Sequence, residues 1–267
     1  MTGQIHLTEE KETLFITLSA KASDYRSKHS ILHDKEADDI LKKISNDFTK
    51  YKGFGDKIMV VRAKQFDEWI QAFIKDNKNA VVLYLGCGLD TRINRIDPSS
   101  FINWFDVDYP EVIELRKIFY SDRDGYQMIA SSVIEPGWLK QIPHDQPTLI
   151  IAEGLLEYLT GEEVKALFSR LTDHFNHGHM LFDVMNSFAI QAGRKQLKTT
   201  TGAVHKWAVD DTKELDRLNP RLTRIKELPL FKSKYMRKLP LGLRLFVSFA
   251  SFIFRYKNML RLMHYQF

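Results

Sequence analysis

The sequence predicts an α/β fold in which helices cover both faces of a mostly parallel sheet. Five short apolar runs bounded by turn residues occupy residues 80–85, 102–107, 127–130, 148–152 and 179–184. Helical patterns separate these runs from one another. Strands that alternate with helices are typical of βαβ units and therefore of a parallel sheet.

The flanking segments complete a single domain. Apolar residues recur at helical spacing before residue 77, which predicts a helical cap over residues 1–77. The α/β core follows over 78–190, and a basic insertion or lid over 191–240. Residues 241–267 read as a closing apolar helix, over about 241–255, and a strand.

Composition limits the class of protein. The chain has 267 residues, 44% hydrophobic and 27% charged, which supports one sizeable core and excludes disordered and collagen-like proteins. The single cysteine, Cys87, cannot form an internal disulfide, which suits a reducing compartment. The first six residues lack a signal-peptide pattern, and no stretch reaches the ~20 apolar residues of a membrane span. We therefore expect a cytoplasmic protein without a membrane partner.

The positive charge is concentrated in one late segment. Residues 194–238 contain thirteen Lys and Arg against five Asp and Glu, whereas the whole chain has a net charge of +5. Such a patch suits an anionic small molecule, a nucleic acid or an acidic membrane surface. A solvated insertion with its lysines turned outward is the alternative.

A glycine turn follows the first apolar run. Gly86-Cys87-Gly88 continues directly from that run, and glycines at such a turn let a ligand approach the main chain. The third glycine of the dinucleotide fingerprint is missing, which argues against a bound pyrophosphate. A tight turn without a ligand is the alternative interpretation.

Carboxylates end two other apolar runs. Asp106 and Asp108 share one face of the second run, and Asp108 lies 20 residues beyond Gly88, where nucleotide-binding α/β folds place the acid that binds the ribose. One would bind the ribose and the other would be structural, unless both only cap the next helix. Glu153 ends the fourth run, where it would face the same crevice or cap a helix.

Three motifs resemble those of a known family in order and spacing. They are Leu-Gly-Cys-Gly-Leu-Asp-Thr-Arg at 85–92, Asp-Val-Asp-Tyr-Pro-Glu-Val at 106–112, and Ala-Glu-Gly-Leu-Leu-Glu-Tyr-Leu at 152–159. Over residues 18–190 the chain is similar to the leucine carboxyl methyltransferase family, which includes bacterial polyketide-tailoring O-methyltransferases. The resemblance implies a class I, Rossmann-like methyltransferase fold and S-adenosylmethionine as cofactor.

The resemblance also implies roles for residues at the methionine end of that cofactor. Lys21 and Arg62 would pair with the methionine carboxylate, a contact that arginine makes strongly and in a fixed orientation. Glu153 would complement the ammonium or sulfonium charge. Tyr158 would face the methyl acceptor.

At the nucleoside end, Gly86 and Gly88 would pass beside the cofactor and Asp108 would hold the ribose. Ser132 and Val133 fall where relatives grip the adenine amino group, with Ser132 in place of the usual aspartate. A serine still accepts a hydrogen bond, but it is neutral and shorter. Adenine recognition is therefore expected to be weaker or to pass through water.

The expected function is O-methylation of a small organic molecule, on the carboxylate of a polyketide-like acid. A carboxylate is already ionised near neutral pH and needs no general base, whereas a phenol acceptor would need one, for which His205 and Asp183 are candidates. None of the nine histidines has metal-ligand spacing, so no metal is expected.

Three alternatives remain beside this expectation. The acceptor could be a protein C-terminal carboxylate. The basic segment with interleaved Trp207, Phe231 and Tyr235 could bind nucleic acid, as in an RNA methyltransferase, although the charge is confined to one segment. The Ser132 departure could mark a catalytically silent cofactor-binding protein.

Overall fold

The computed structural model describes residues 7–44, 47–51, 53, 55–250 and 252–267. The first six residues, on which the signal-peptide expectation rests, lie outside this range. Within the described residues, no helix combines the length and apolarity required to cross a bilayer.

Seven strands form one sheet in the described part of the chain. They are β1 (Val81–Leu85), β2 (Asn103–Asp108), β3 (Tyr126–Ala130), β4 (Thr148–Ala152), β5 (Gly178–Met185), β6 (Thr223–Pro229) and β7 (Leu260–Gln266). Their spatial order is β3-β2-β1-β4-β5-β7-β6. β1 to β5 are parallel, and β7 runs antiparallel to both β5 and β6. The predicted α/β fold is confirmed, and the five predicted strands lie within one residue of their observed bounds.

Helices cover both faces of the sheet. In chain order they are α1 (Leu14–Tyr25), α2 (Lys35–Lys43), α3 (Asp56–Asp76), α4 (Arg92–Ile96), α5 (Pro110–Arg116), α6 (Gly161–His174), α7 (Ser187–Thr201), α8 (Lys213–Asp216), α9 (Leu241–Ala250) and α10 (Phe254–Lys257). Short 3₁₀ turns include Glu9–Thr13, Gly137–Gln141 and Leu156–Tyr158. Thr160 begins α6 with a reciprocal capping box to Glu163, the local sequence signal that fixes a helix start.

The alternating side chains of β1 divide the core into two layers. Val82 and Tyr84 pack with the cap, where Phe66 and Ile70 of α3 are fully buried. Leu83 points to the opposite face and joins the layer that contains the buried residues of α6. Because all five β1 positions are buried, the strand reads as a continuous apolar run, as central parallel strands do.

The strand order reverses next to β1. The chain builds β1, β2 and β3 outward in one direction and then returns with β4 on the other side of β1. Ligands of open α/β sheets bind at such a reversal, beyond the carboxyl ends of the strands. The topology therefore places the crevice between the ends of β1 and β4.

The basic segment contributes to the sheet, which the sequence analysis did not predict. β6 lies inside residues 191–240, where only an insertion was expected. Its positions are exposed or half-buried, and its pairing with β7 shifts register between Arg224 and Lys226. An edge strand of this kind lacks a strong apolar alternation. The closing apolar helix, predicted over about 241–255, ends as α9 at Ala250, and α10 follows from Phe254.

Candidate active site

A cavity opens beyond the carboxyl ends of the central strands. The sheet forms one wall, and the cap, through α1 and α3, forms another. The nine candidate residues of the sequence analysis all line it: Lys21, Arg62, Gly86, Gly88, Asp108, Ser132, Val133, Glu153 and Tyr158.

The glycine turn brings the main chain to the cavity wall. Gly86 and Gly88 have φ values of 64° and 52°, in the left-handed region that favours glycine. The amide of Gly86 donates to the carbonyl of Val107 at 2.8 Å, which fixes the turn against β2. A Cβ at Gly86 would lie 2.9 Å from Cδ1 of Leu155, another lining residue. A side chain at this position would therefore force Leu155 to shift.

Asp108 is presented to the cavity by two backbone amides. The amide of Gly88 donates to Oδ2 and that of Tyr109 to Oδ1, each at 2.7 Å. Burial raises the pKa of Asp108 to about 6, against the lowering effect of these hydrogen bonds. The carboxyl is therefore mostly ionised at pH 7. Each oxygen keeps a further lone pair with which to accept a hydroxyl.

Asp106 is structural. It is fully buried and accepts hydrogen bonds from Nη2 of Arg116, the hydroxyl of Tyr126 and Nε1 of Trp104. It does not line the cavity. The two carboxylates of this strand therefore have separate environments, one in the crevice and one in the core.

Two cations line the opposite end of the cavity, and both already have carboxylate partners. Arg62 contacts Oε1 of Glu153 through Nε and Oδ2 of Asp183 through Nη1, each at 2.9 Å. Nζ of Lys21 lies 2.9 Å from Oδ2 of Asp90. Burial lowers the pKa of Lys21, although Asp90 opposes this. An ammonium has three donors and a guanidinium five, so both keep donor capacity for a ligand.

A buried ion network behind these cations was missed in the sequence. Arg92 is fully buried and contacts Asp67 at 2.8 Å as well as Glu153 and Asp90. Arg95 extends the network to Asp67 and Asp90. Burial raises the pKa of the Asp90 carboxyl, but the surrounding cations hold it well below its usual range. The only sequence signal was the Asp-Thr-Arg that follows the glycine turn.

The comparisons with known proteins identify the chain. Residues 15–119 match the family model for leucine carboxyl methyltransferase. Over 225 residues, 83% of each chain, the sequence is 37% identical to the tetracenomycin polyketide synthesis O-methyltransferase TcmP of Streptomyces glaucescens. The chain belongs to the leucine carboxyl methyltransferase family.

Further similarities agree with this membership. The methyltransferase is 29% identical over 244 residues, 82% of each chain, to the S-adenosyl-L-methionine-dependent methyltransferase dpfgK of Gibberella zeae. A crystal structure of a protein described as a methyltransferase, from Thermobifida fusca, shares the fold with a TM-score of 0.65 at 13% identity, and covers 97% of this chain and 94% of that one. The expected family, the class I methyltransferase fold and the cofactor S-adenosylmethionine are confirmed.

The lining residues of this methyltransferase fit that cofactor in charge and hydrogen-bonding character. A carboxylate at one end suits a ribose diol, and cations at the other suit an amino-acid carboxylate. Between these two ends, the glycine turn exposes its main chain to the cavity because Gly86 and Gly88 have no side chains. The residues present therefore match the chemistry of the group from end to end.

The side of the cavity near Tyr158 is closed by the first part of the basic segment. The rings of Tyr158 and His205 are 5.1 Å apart, and the amides of Lys206 and Trp207 donate to the carbonyl of Glu157. Burial raises the pKa of Tyr158 above its usual range, so its phenol is neutral and can donate a hydrogen bond.

The two base candidates for a phenol acceptor lie outside the cavity wall. Asp183 is held by Arg62 and by the amide of Gly154 and does not line the cavity. His205 packs behind Tyr158, and burial lowers its pKa. Neither residue faces the cavity directly in the described structure.

Two residues that the sequence analysis missed lie beside Ser132. Glu10 and Tyr109 line the same end of the cavity, and the Tyr109 hydroxyl lies 3.3 Å from Oε1 of Glu10. The Ser132 side chain opposes the rise in the pKa of Tyr109 that burial causes. No local pattern could have indicated Glu10, because it reaches this end from the 3₁₀ turn that precedes α1.

Proposed function

We propose that this methyltransferase acts on an oxygen of a small organic molecule, namely the carboxylate of a polyketide-like acid. The observation that carries the proposal is the chemistry of the cavity wall near Tyr158. That wall offers the neutral hydroxyl of Tyr158 as a donor that suits an anionic acceptor, while the neighbouring hydroxyls of Thr13 and Thr17 donate to the carbonyls of Glu10 and Leu14. The name of the TcmP relative, a polyketide O-methyltransferase, supports both the oxygen and the class of molecule.

The carboxylates of the wall are poorly placed to act as a general base. In the described residues that line the cavity they are Glu10, Asp90, Asp108 and Glu153. Glu153 is bound by two arginines and Asp90 by Lys21. A carboxylate acceptor has no proton to lose near neutral pH, so it needs no such base.

When bound, S-adenosylmethionine supplies a methyl group on a positively charged sulfonium sulfur. The task of this chain is then to hold the acceptor oxygen in line with that group, near 3 Å. Tyr158 would orient the acceptor through its hydroxyl. The surplus of Lys and Arg in residues 194–238 would attract the acid and favour release of the neutral ester.

Different residues of the cavity would bind different parts of the cofactor. Asp108 would accept hydrogen bonds from the ribose hydroxyls. The main chain of Gly86 and Gly88 would pass beside the cofactor. Lys21 and Arg62 would bind the methionine carboxylate with donors that their present ion pairs leave over. The contacts described above support these assignments.

Glu153 would act mainly through Arg62. The sequence analysis gave it the ammonium or sulfonium charge of the cofactor as partner, but Arg62 and Arg92 already neutralise its carboxylate. Its geometry favours a positioning role, in which it fixes the guanidinium of Arg62 in the cavity wall.

Adenine recognition would use Glu10 as well as Ser132 and Val133. The Glu10 carboxylate can accept from an exocyclic amino group, which the neutral Ser132 does less strongly. Its hydrogen bond from Tyr109 holds it at this end of the cavity. Glu10, an acidic residue of the cap, would thus replace the aspartate that relatives have at the position of Ser132.

A hydroxynaphthoic acid tests the acceptor, because it carries both a carboxyl and a phenol. We expect the purified enzyme and S-adenosylmethionine to give a methyl ester, which mild alkali hydrolyses. A reaction without S-adenosylmethionine is the negative control. An alkali-stable aryl ether in place of the ester would overturn the proposal.

Three further arms cover the other acceptors. Loss of ether formation in a His205→Phe variant would assign the base for a phenol. A peptide with a C-terminal leucine and a structured RNA represent the protein and nucleic-acid acceptors, and methylation of either one alone would also overturn the proposal. Tight binding of S-adenosylmethionine without turnover on any acceptor would indicate a silent cofactor-binding protein.

A further inference from the structure

Exposed apolar side chains are concentrated on one short segment of the surface. The described residues include eleven large hydrophobic side chains that are exposed, and six of them lie between residues 241 and 253. They are Leu241, Leu245, Phe246, Phe249, Phe252 and Ile253. Contiguous patches of this kind mark interaction sites rather than ordinary surface.

The helix that carries most of these side chains has two different faces. Leu243 and Val247, four residues apart, pack against the core. Leu241, Leu245 and Phe249 repeat at the same spacing on the opposite side, where their exposed fractions are 67%, 64% and 72%. Residues four apart share one face of a helix. α9 therefore presents an apolar stripe outward while its other face anchors it to the protein.

Positive charge adjoins the start of this stripe. Residues 228–267 contain eight Lys and Arg and no Asp or Glu. A surface groove at the start of α9 is lined by Lys28, His29, His33, Arg237 and Lys238, all exposed, together with Leu241. No acidic side chain is found among the described residues that line this groove. The groove therefore suits an anionic group next to an apolar phase.

We propose that α9 and the adjoining cationic groove dock this enzyme onto an anionic lipid surface. An interfacial helix of this type has aromatic and aliphatic residues on one side and Lys or Arg beside them. The ten residues of α9 span about 15 Å, too short to cross a bilayer and suited to lying in its surface. Leu241, Leu245, Phe249 and Phe252 would enter the acyl boundary, while Arg237 and Lys238 would meet the headgroups.

Charge favours this occupant over two others. A second copy of the chain seated on the same stripe would bring its own Arg237, Lys238 and Arg244 against those of the first, with no acidic side chain in residues 228–267 to compensate. A nucleic acid would use the charge and could stack on Phe249, but it has no apolar phase to cover the aliphatic side chains of Leu241 and Leu245.

Vesicle co-sedimentation of the full chain tests the proposal. We expect binding to vesicles of phosphatidylglycerol and phosphatidylcholine, weaker binding to phosphatidylcholine alone, and release by salt. The Phe249→Glu, Phe252→Glu double variant should reduce binding at least tenfold. Phe101→Glu is the matched control, because Phe101 is 75% exposed but lies in the loop before β2, and it should bind normally.

Charge reversal tests the groove separately. Lys28→Glu with Lys238→Glu should weaken vesicle binding roughly fivefold for each charge removed. The pair Lys140→Glu and Lys165→Glu, exposed lysines outside the groove, should leave it unchanged.

The same variants define the contrary results. Vesicle binding that survives the phenylalanine double variant would overturn the proposal, as would a monomeric protein that binds no vesicles. Self-association in sedimentation velocity that the double variant abolishes, without vesicle binding, would assign the stripe to a contact between two copies instead. Circular dichroism and the thermal midpoint show whether each variant is folded.

Discussion

Asp106 and Asp108 lie two residues apart on the same face of β2, yet only Asp108 reaches the cavity. Asp106 neutralises the buried guanidinium of Arg116, whereas Asp108 is held by backbone amides. One strand thus supplies both a core ion pair and the acid at the nucleoside end of the crevice.

Replacing each carboxylate by its amide should separate binding from stability. Asp108→Asn should weaken binding of S-adenosylhomocysteine by about 1–3 kcal/mol, through lost charged hydrogen bonds. Asp106→Asn leaves Arg116 without its buried counter-charge and should lower the free energy of unfolding by about 3–5 kcal/mol. Calorimetric titration and urea unfolding measure the two effects, and the reverse pattern would show that the roles are exchanged.

The affinity for S-adenosylhomocysteine should depend on pH through Asp108. Because the ionised carboxylate accepts the ribose hydroxyls and its pKa is about 6, affinity should be level above about pH 7. It should fall as the carboxyl is protonated between pH 6 and pH 5, approaching tenfold per pH unit. In the Asp108→Asn variant the profile should be flat over this range. A flat profile in the unmodified protein would contradict the assignment.

Gly86→Ala should damage both stability and cofactor binding. The left-handed backbone costs a side chain about 1–2 kcal/mol, and the new Cβ would push Leu155 toward the cavity. Gly193→Ala is the control, since a Cβ there meets nothing within 4 Å, and alanine should favour helix α7 by up to about 1 kcal/mol. Thermal unfolding with and without S-adenosylhomocysteine would distinguish the two.

Arg92→Met should destabilise the fold by about 3–5 kcal/mol, because Asp67, Asp90 and Glu153 would each lose a buried counter-charge. Urea unfolding measures this. Lys35→Met, which removes an exposed ion pair with Asp39, should change stability little. Equal effects of the two substitutions would mean that the buried network contributes no more than a surface pair.

Glu10→Gln should weaken cofactor binding without destabilising the protein, because Glu10 is only half-buried. If the carboxylate accepts from the adenine amino group, an analogue methylated at that amino group should bind the unmodified protein less tightly and the variant about equally. Isothermal titration with both ligands checks this. Equal discrimination in both proteins would exclude Glu10 from adenine recognition.

The sequence predicted most accurately the strands that are buried on both faces of the sheet. β1 and β4 are buried at every position, so their apolar runs have sharp ends. β6 was missed because its outer positions are exposed. At the site, Gly86, Gly88 and Asp108 belong to one βαβ unit with a fixed spacing. Arg92 was missed because its partners Asp67 and Glu153 come from distant elements, which only the fold brings together.

The position of β7 in the sheet constrains the order of assembly. In the described structure β6 pairs with β7 alone, and β7 is inserted between β5 and β6 although it follows both in the chain. During synthesis β6 leaves the ribosome before the strand that it needs. The parallel half of the sheet, with the glycine turn and Asp108, can therefore form before β7 is available to pair with β6 of the basic segment. The nucleoside end would therefore be completed before the outer edge of the sheet.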